Sequence, residues 1–117
     1  LATQFADRCI VAATPDPASL RDAACAADAL ALEGHELLQL VVNRVQPRLF
    51  SRMNLTVDYI MDQTGLRLLG LVPEDPAVVL SAAAGKALIL NSSGGAAEAC
   101  LRISRRLRGE PMPLMRF

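Results

Sequence analysis

Few side chains in this sequence could do chemistry, and the ones that could stand at the ends of apolar runs. Asn43 and Arg44 close the run 37–44, and Pro73, Glu74 and Asp75 follow the run 67–72. A carboxamide offers a donor and an acceptor side by side, which matches the edge of a purine base. A proline next to it gives a flat ring something to pack on, and the backbone at 73–75 adds further donors and acceptors. Thr14-Pro15-Asp16 ends a third run in the same style. Each of these residues also has a structural use, Asn43 as a turn residue and Asp75 as a helix cap.

Other chemistry has little support. No Gly-x-x-x-x-Gly-Lys-Ser/Thr loop occurs, so nothing here is built to cradle a triphosphate. The turn Ser92-Ser93-Gly94-Gly95 lacks the lysine, and could hold an anion at a helix start or simply connect two elements. Cys9, Cys25 and Cys100 show no Cys-x-x-Cys spacing and have one histidine between them, which argues against a metal centre and fits a reducing cytosol. Cys9 and Cys100 fall within apolar patterns and read as small core residues.

The elements that must position the rim residues alternate between strand and helix. Strands are expected at 8–14, 37–44, 67–72 and, briefly, 87–90, each short and apolar. Asp16-Pro17 and Asp75-Pro76 pair a cap with a first-turn proline, opening helices that run to about Leu32 and Ala84. A loop of polar residues around Pro47, Arg48, Ser51 and Arg52 leads to a short helix 57–64, capped by Thr56 and stapled by Leu55 and Ile60. A last helix, 95–108, carries Ala96, Cys100, Ile103 and Leu107 on one stripe. Strands separated by helices of this size imply right-handed crossovers and a parallel sheet. In such a sheet ligands bind beyond the carboxyl ends of the strands, so Asn43 and Pro73–Asp75 meet if their strands are neighbours.

Composition agrees. The chain has 117 residues, 52% hydrophobic but only 3% aromatic, so its core must be aliphatic. Buried parallel strands under Ala-rich helices suit that balance. A net charge of zero gives no basis for broad binding to nucleic acid. No apolar stretch reaches the roughly 18 residues of a membrane span.

The sequence resembles the MinD/ParA family of deviant P-loop ATPases. The resemblance is carried by Ile10-Val11-Ala12-Ala13-Thr14-Pro15-Asp16-Pro17-Ala18-Ser19-Leu20-Arg21-Asp22, by Leu40-Val41-Val42-Asn43-Arg44-Val45, and by Leu69-Gly70-Leu71-Val72-Pro73-Glu74-Asp75 followed by Gly85. Arg105-Arg106-Leu107-Arg108-Gly109-Glu110 is similar to the close of the family's last helix. The resemblance implies a partial P-loop NTPase fold over 1–117, the C-terminal half of such a domain, with a mostly parallel three-layer α/β/α sheet of three to four strands and a loosely ordered tail at 110–117. It implies adenine contacts from Asn43, Arg44, Pro73, Glu74 and Asp75. It implies a role in placing the division septum, with partners of the MinC and MinE kind at Ser19, Arg21 and Asp22. Position 24 is Ala where the MinD branch often carries an acid, and that departure tells against binding of the MinE kind.

ATP or ADP with Mg²⁺ is implied for a full-length protein, in the cytoplasm or peripherally on the inner membrane face. The chain begins at Leu1 rather than Met, read here as a cut through a longer protein. The phosphate loop would then precede Leu1, leaving this chain without ATPase activity, with no nucleotide held by it alone, and with strand 8–14 as an open edge for self-association. Leu114–Phe117 is too short for an interfacial membrane helix. Competing readings are a non-catalytic regulatory or scaffolding module, and a flagellar-placement or metallocentre-maturation ATPase.

Overall fold

The computed structural model describes residues 4–114. In chain order they form β1 (Cys9–Ala13), α1 (Pro17–Leu32), β2 (Leu38–Val45), α2 (Pro47–Arg52), α3 (Val57–Thr64), β3 (Arg67–Pro73), α4 (Pro76–Ala83), α5 (Leu88–Asn91) and α6 (Ala96–Leu107). The sheet has the order β1-β2-β3 and both pairings are parallel. Crossovers through α1 and through α2–α3 join the strands, as the alternating sequence pattern requires.

Alternate residues of β1 point in opposite directions. Cys9, Val11 and Ala13 are buried while Ile10 and Ala12 are exposed. Val11 and Ala13 join Leu40, Val42, Val45, Leu68 and Leu71 beneath Leu20, Ala23 and Ala27 of α1 and Ile60 of α3. A smaller cluster on the opposite face packs Val72 against Ala96 and Ala99 of α6, with Val41, Leu88 and Ile103 beside it. Three layers result, helices on both sides of one parallel sheet, in agreement with the expected class. The second layer is incomplete, since α6 covers β3 and leaves Ile10 of β1 in solvent.

The expected caps form. Thr56 accepts from the Tyr59 N–H at 3.0 Å, and Asp16 Oδ1 from the Ser19 N–H at 2.9 Å. Three expectations are corrected. Residues 87–90 are no strand: 88–91 make a single helical turn. A four-residue apolar run does not decide between strand and helix, and here Leu88 is drawn onto the second cluster instead of a sheet edge. The polar loop after β2 contains a helix, α2, opened by Pro47. Finally, Cys100 is exposed, because α6 turns Ala96, Ala99 and Ile103 toward the sheet, a stripe spaced by three and four residues that leaves Cys100 outside.

Residues 110–114 follow α6 back along β3. Arg106 donates to the Met112 carbonyl at 2.7 Å and to the Leu68 carbonyl at 3.3 Å, and Arg102 donates to the Pro113 carbonyl at 3.1 Å. Leu114 packs on the main core. Part of the tail and of the membrane-helix reading, 115–117, lies outside the described residues. Among those described, no helix is long and apolar enough to cross a membrane.

Candidate functional site

All three strands end at one rim. Val45 pairs with Pro73, and the Glu74 N–H donates to the Val45 carbonyl at 2.9 Å, which ties the ends of β2 and β3 together. The β2 ladder slips between Val42 and Val45, so Asn43 and Arg44 bulge out of the strand. Arg44 pays for the bulge with φ of 57°, a left-handed conformation that costs a non-glycine residue about 1–3 kcal/mol. Bulges of this kind re-aim side chains at strand ends.

Re-aiming is what happens here. Asn43 Oδ1 accepts from the Arg44 N–H at 2.9 Å, leaving the carboxamide NH₂ turned to solvent. The Arg44 guanidinium reaches Glu74 across the strand ends at 3.3 Å, and Gln46 donates to the other Glu74 oxygen. A cleft of about 320 Å³ opens beside them, lined by Thr14, Pro15, Asp16, Arg44, Gln46 and Glu74, with Leu49, Phe50, Met53 and Leu55 as an apolar floor. An apolar floor with a few converging polar groups is the usual form of a binding site.

Of the rim residues expected from sequence, Arg44 and Glu74 line the cleft, while Asn43 and Pro73 stand at the adjoining strand ends. Asp75 is turned to another task. Its Oδ1 accepts from the Ala77 N–H and its Oδ2 from the Ala96 N–H, both at 3.0 Å, so one carboxylate caps α4 and α6 together. The anion at the turn Ser92–Gly95 is therefore the protein's own. Ser19 is likewise engaged, its hydroxyl accepting from the Thr14 N–H at 2.9 Å, whereas Arg21 and Asp22 are exposed on α1. Sequence reasoning missed the floor residues. The available signal was Gln46-Pro47, a helix start, with Phe50 and Leu55 apolar behind it.

The Ala77 and Ala96 N–H groups hold the Asp75 carboxyl below its ordinary value of 3.8. The Thr14 hydroxyl, then the Ser19 N–H, do the same for Asp16. A carboxyl whose folded value is depressed contributes stability that is present above its unfolded value and lost as pH falls through its folded one. The melting temperature should therefore drop as pH is taken from 5 to below the ordinary 3.8. In Asp75→Ala that drop should be shallower than in the parent chain. Equal pH dependence in thermal melts of the two would contradict the double cap.

No protein-family profile matches the chain. Among curated proteins it is similar to the septum site-determining protein MinD of Bacillus subtilis, 32% identical over 97% of this chain and 43% of that protein. Among solved structures it is similar to the MinD cell division protein of Aquifex aeolicus, with a TM-score of 0.92 at 29% identity, covering 98% of this chain and 49% of that one. The same Aquifex protein is also known in a MinC:MinD complex, matched with a TM-score of 0.89 at 29% identity, covering 96% of this chain and 47% of that one. A MinD of Pyrococcus horikoshii complexed with Mg-ADP shares the fold at 20% identity and a TM-score of 0.75, covering 86% of this chain and 41% of that one. The chain spans less than half the length of each of these relatives.

Proposed function

We infer that this chain, a MinD-like stretch of the MinD/ParA ATPase family, carries the base-recognising rim and one partner-facing helix of a protein that acts in septum placement at cell division. The observation behind this reading is the junction of two parallel strand ends, fixed by the Glu74 N–H to Val45 carbonyl bond at 2.9 Å. That junction sets Asn43–Arg44 beside Pro73–Glu74 at the carboxyl edge of the sheet, where open α/β sheets take their ligands. The strained Arg44 supports it, since backbone strain gathers at working sites.

In this reading the free NH₂ of Asn43 faces the adenine edge of ATP or ADP, and Pro73 packs against the ring. Arg44 and Glu74 hold the bulge in shape. Asp75 supports the rim from behind by fixing α4 and α6. Nucleotide with Mg²⁺ belongs to the full-length protein, by analogy with the Pyrococcus relative bound to Mg-ADP. Phosphoryl transfer depends on a phosphate loop with its lysine and on the metal, and the 117 residues contain no such loop. This chain alone should bind nucleotide weakly and turn none over.

Arg21 and Asp22, with Ser19 at the start of the same helix, form the face for a partner of the MinC or MinE kind. Support comes from the exposure of Arg21 and Asp22 and from the apolar cleft beside Asp16, which could take an anchoring side chain. The MinC complex of the Aquifex relative is the precedent for MinC. The cytoplasm, with peripheral membrane attachment of the whole protein, is the matching location. The outer edge of β1, with no strand beside it among the described residues, is open to pairing with a second copy.

A titration of the ¹⁵N-labelled chain with ADP tests the rim. Shifts should gather at the Asn43 side chain and the Asn43–Glu74 strand ends at millimolar ligand, and Asn43→Ala should weaken binding about tenfold, the scale of one hydrogen bond to a buried base edge. Shifts of equal size with GDP, or shifts scattered away from the rim, would remove the reading.

A further inference from the structure

Residues 110–114 alternate in burial. Met112 and Leu114 are half-buried while Glu110, Pro111 and Pro113 are exposed, the period of an extended segment lying on a surface. The path of this segment follows from what it touches. In its middle, the Met112 and Pro113 carbonyls accept from Arg106 and Arg102 of α6, on one face of the sheet. At its end, Leu114 packs with the main core on the other face. Since β2 occupies one side of β3, the chain passes from face to face around the outer edge of β3. No strand pairs with that edge among the described residues.

The fastening is made by side chains. The guanidinium that holds the Met112 carbonyl at 2.7 Å also donates to the Leu68 carbonyl of β3 at 3.3 Å, so one rigid plane joins segment and strand. A planar fork suits two acceptors at a fixed spacing, and an ammonium does not. Arg102 is aimed by Glu98, which accepts from its Nε at 3.2 Å and from Nη2 at 3.0 Å. Pro111 and Pro113 have no N–H, so the segment cannot lengthen the sheet as a regular fourth strand. Their fixed φ also leaves less freedom to lose on docking.

We propose that residues 110–114 are a latched strap that closes the outer edge of β3, with Arg106 as the latch, and that the strap opens as a unit while the sheet stays folded. Its cover is the chain's own segment, seated in the structure. Segments with few buried apolar contacts open below the free energy of global unfolding, and this one buries Met112 and Leu114 only in part. Arg106 Nε is buried without a hydrogen-bond partner, a desolvation cost that offsets part of the gain from closing. Opening uncovers the seam of Gly70 and Ile103, which Pro113 and Leu114 line when closed. It also frees the β3 edge, and an open strand edge is a template for an added strand. The latch therefore decides whether β3 can accept one.

Native-state hydrogen exchange of the whole 117-residue chain, followed by NMR, tests the strap. In Arg106→Met the Met112 and Leu114 amides should exchange at least about 100-fold faster, the scale of two hydrogen bonds from a charged group. Amides of β1 and β2 should keep their rates. Arg106→Lys should behave like Arg106→Met, because charge without the fork cannot bridge two carbonyls. The pair Pro111→Ala and Pro113→Ala leaves Arg106 intact and should speed exchange at Met112 and Leu114 about tenfold, by loosening the open state. That pair carries the test if the Arg106 variants do not fold. Full protection in Arg106→Lys would overturn the latch. So would parent Met112 and Leu114 amides exchanging as free peptide, or β1 and β2 accelerating as much as the strap.

Discussion

Gly70→Val should destabilise the chain by about 3 kcal/mol, and Gly70→Ala by about 1–3 kcal/mol, as overpacked cores do. Gly70 lies in the middle of β3, where α6 crosses. A Cβ built there would come within 2.7 Å of Ile103 Cδ1 and closer still to Cγ1. The clash cannot be relieved by rotation, because a β-branched side chain on a helix has essentially one χ1 rotamer. Either α6 lifts from the sheet, opening the cluster of Val72, Ala96 and Ala99, or the strand bends. Ile103→Ala makes the missing space, so Gly70→Ala should cost less in that background than in the parent. A coupling of at least about 0.5 kcal/mol in a double-mutant cycle by urea denaturation is the expected sign of direct contact. Strict additivity would show that the two residues do not meet.

Residues with one strong local preference announced themselves in the sequence. Asp16-Pro17 and Asp75-Pro76 each open a helix, and the short runs Cys9–Ala13 and Leu38–Val45, β-branched at their centres and flanked by turn signals, form the expected strands. The parallel pairing of β2 with β3 followed from the intervening helix, and with it the meeting of Asn43 and Pro73 at one end. What stayed hidden depended on contacts made at a distance. Asp75 looked like a cap or a ligand contact, and only the fold shows that it caps a second helix 21 residues later. The floor of the cleft comes from α2, whose polar surface reads as a loop until Phe50 finds the core. The bulge at Asn43–Arg44 leaves no trace in composition, since arginine has no preference for a positive φ. Helix α4 was legible in its start at Asp75-Pro76, and the outward turn of Val79 and Leu80 was not.

The largest effect expected near the rim comes from Gly95, a residue that does not line the cleft. Its φ of 55° with ψ of −124° is a conformation open to glycine and costly for any L-residue, about 1–3 kcal/mol. A Cβ at this position would also run into the Asp75 carboxylate, 3.2 Å from its Cγ and nearer to Oδ2. That oxygen is the one that accepts the Ala96 N–H and starts α6. Gly95→Ala therefore loads the backbone and pushes the shared cap off one of its helices. Destabilisation of about 3 kcal/mol is expected, with α6 loosened ahead of β1 and β2 in hydrogen exchange. Two controls isolate the cause. Gly94→Ala has open space and no positive φ, so it should change stability by about 0.5 kcal/mol or less. D-alanine at 95, introduced by chemical ligation, prefers a positive φ, so it removes the backbone strain and sends its methyl away from the position an L-residue would occupy. A D-alanine chain as stable as the parent beside a destabilised L-alanine chain would tie the loss to handedness at one residue. Equal loss in both would sink this account, because the D-alanine methyl neither strains the backbone nor points at the Asp75 carboxylate.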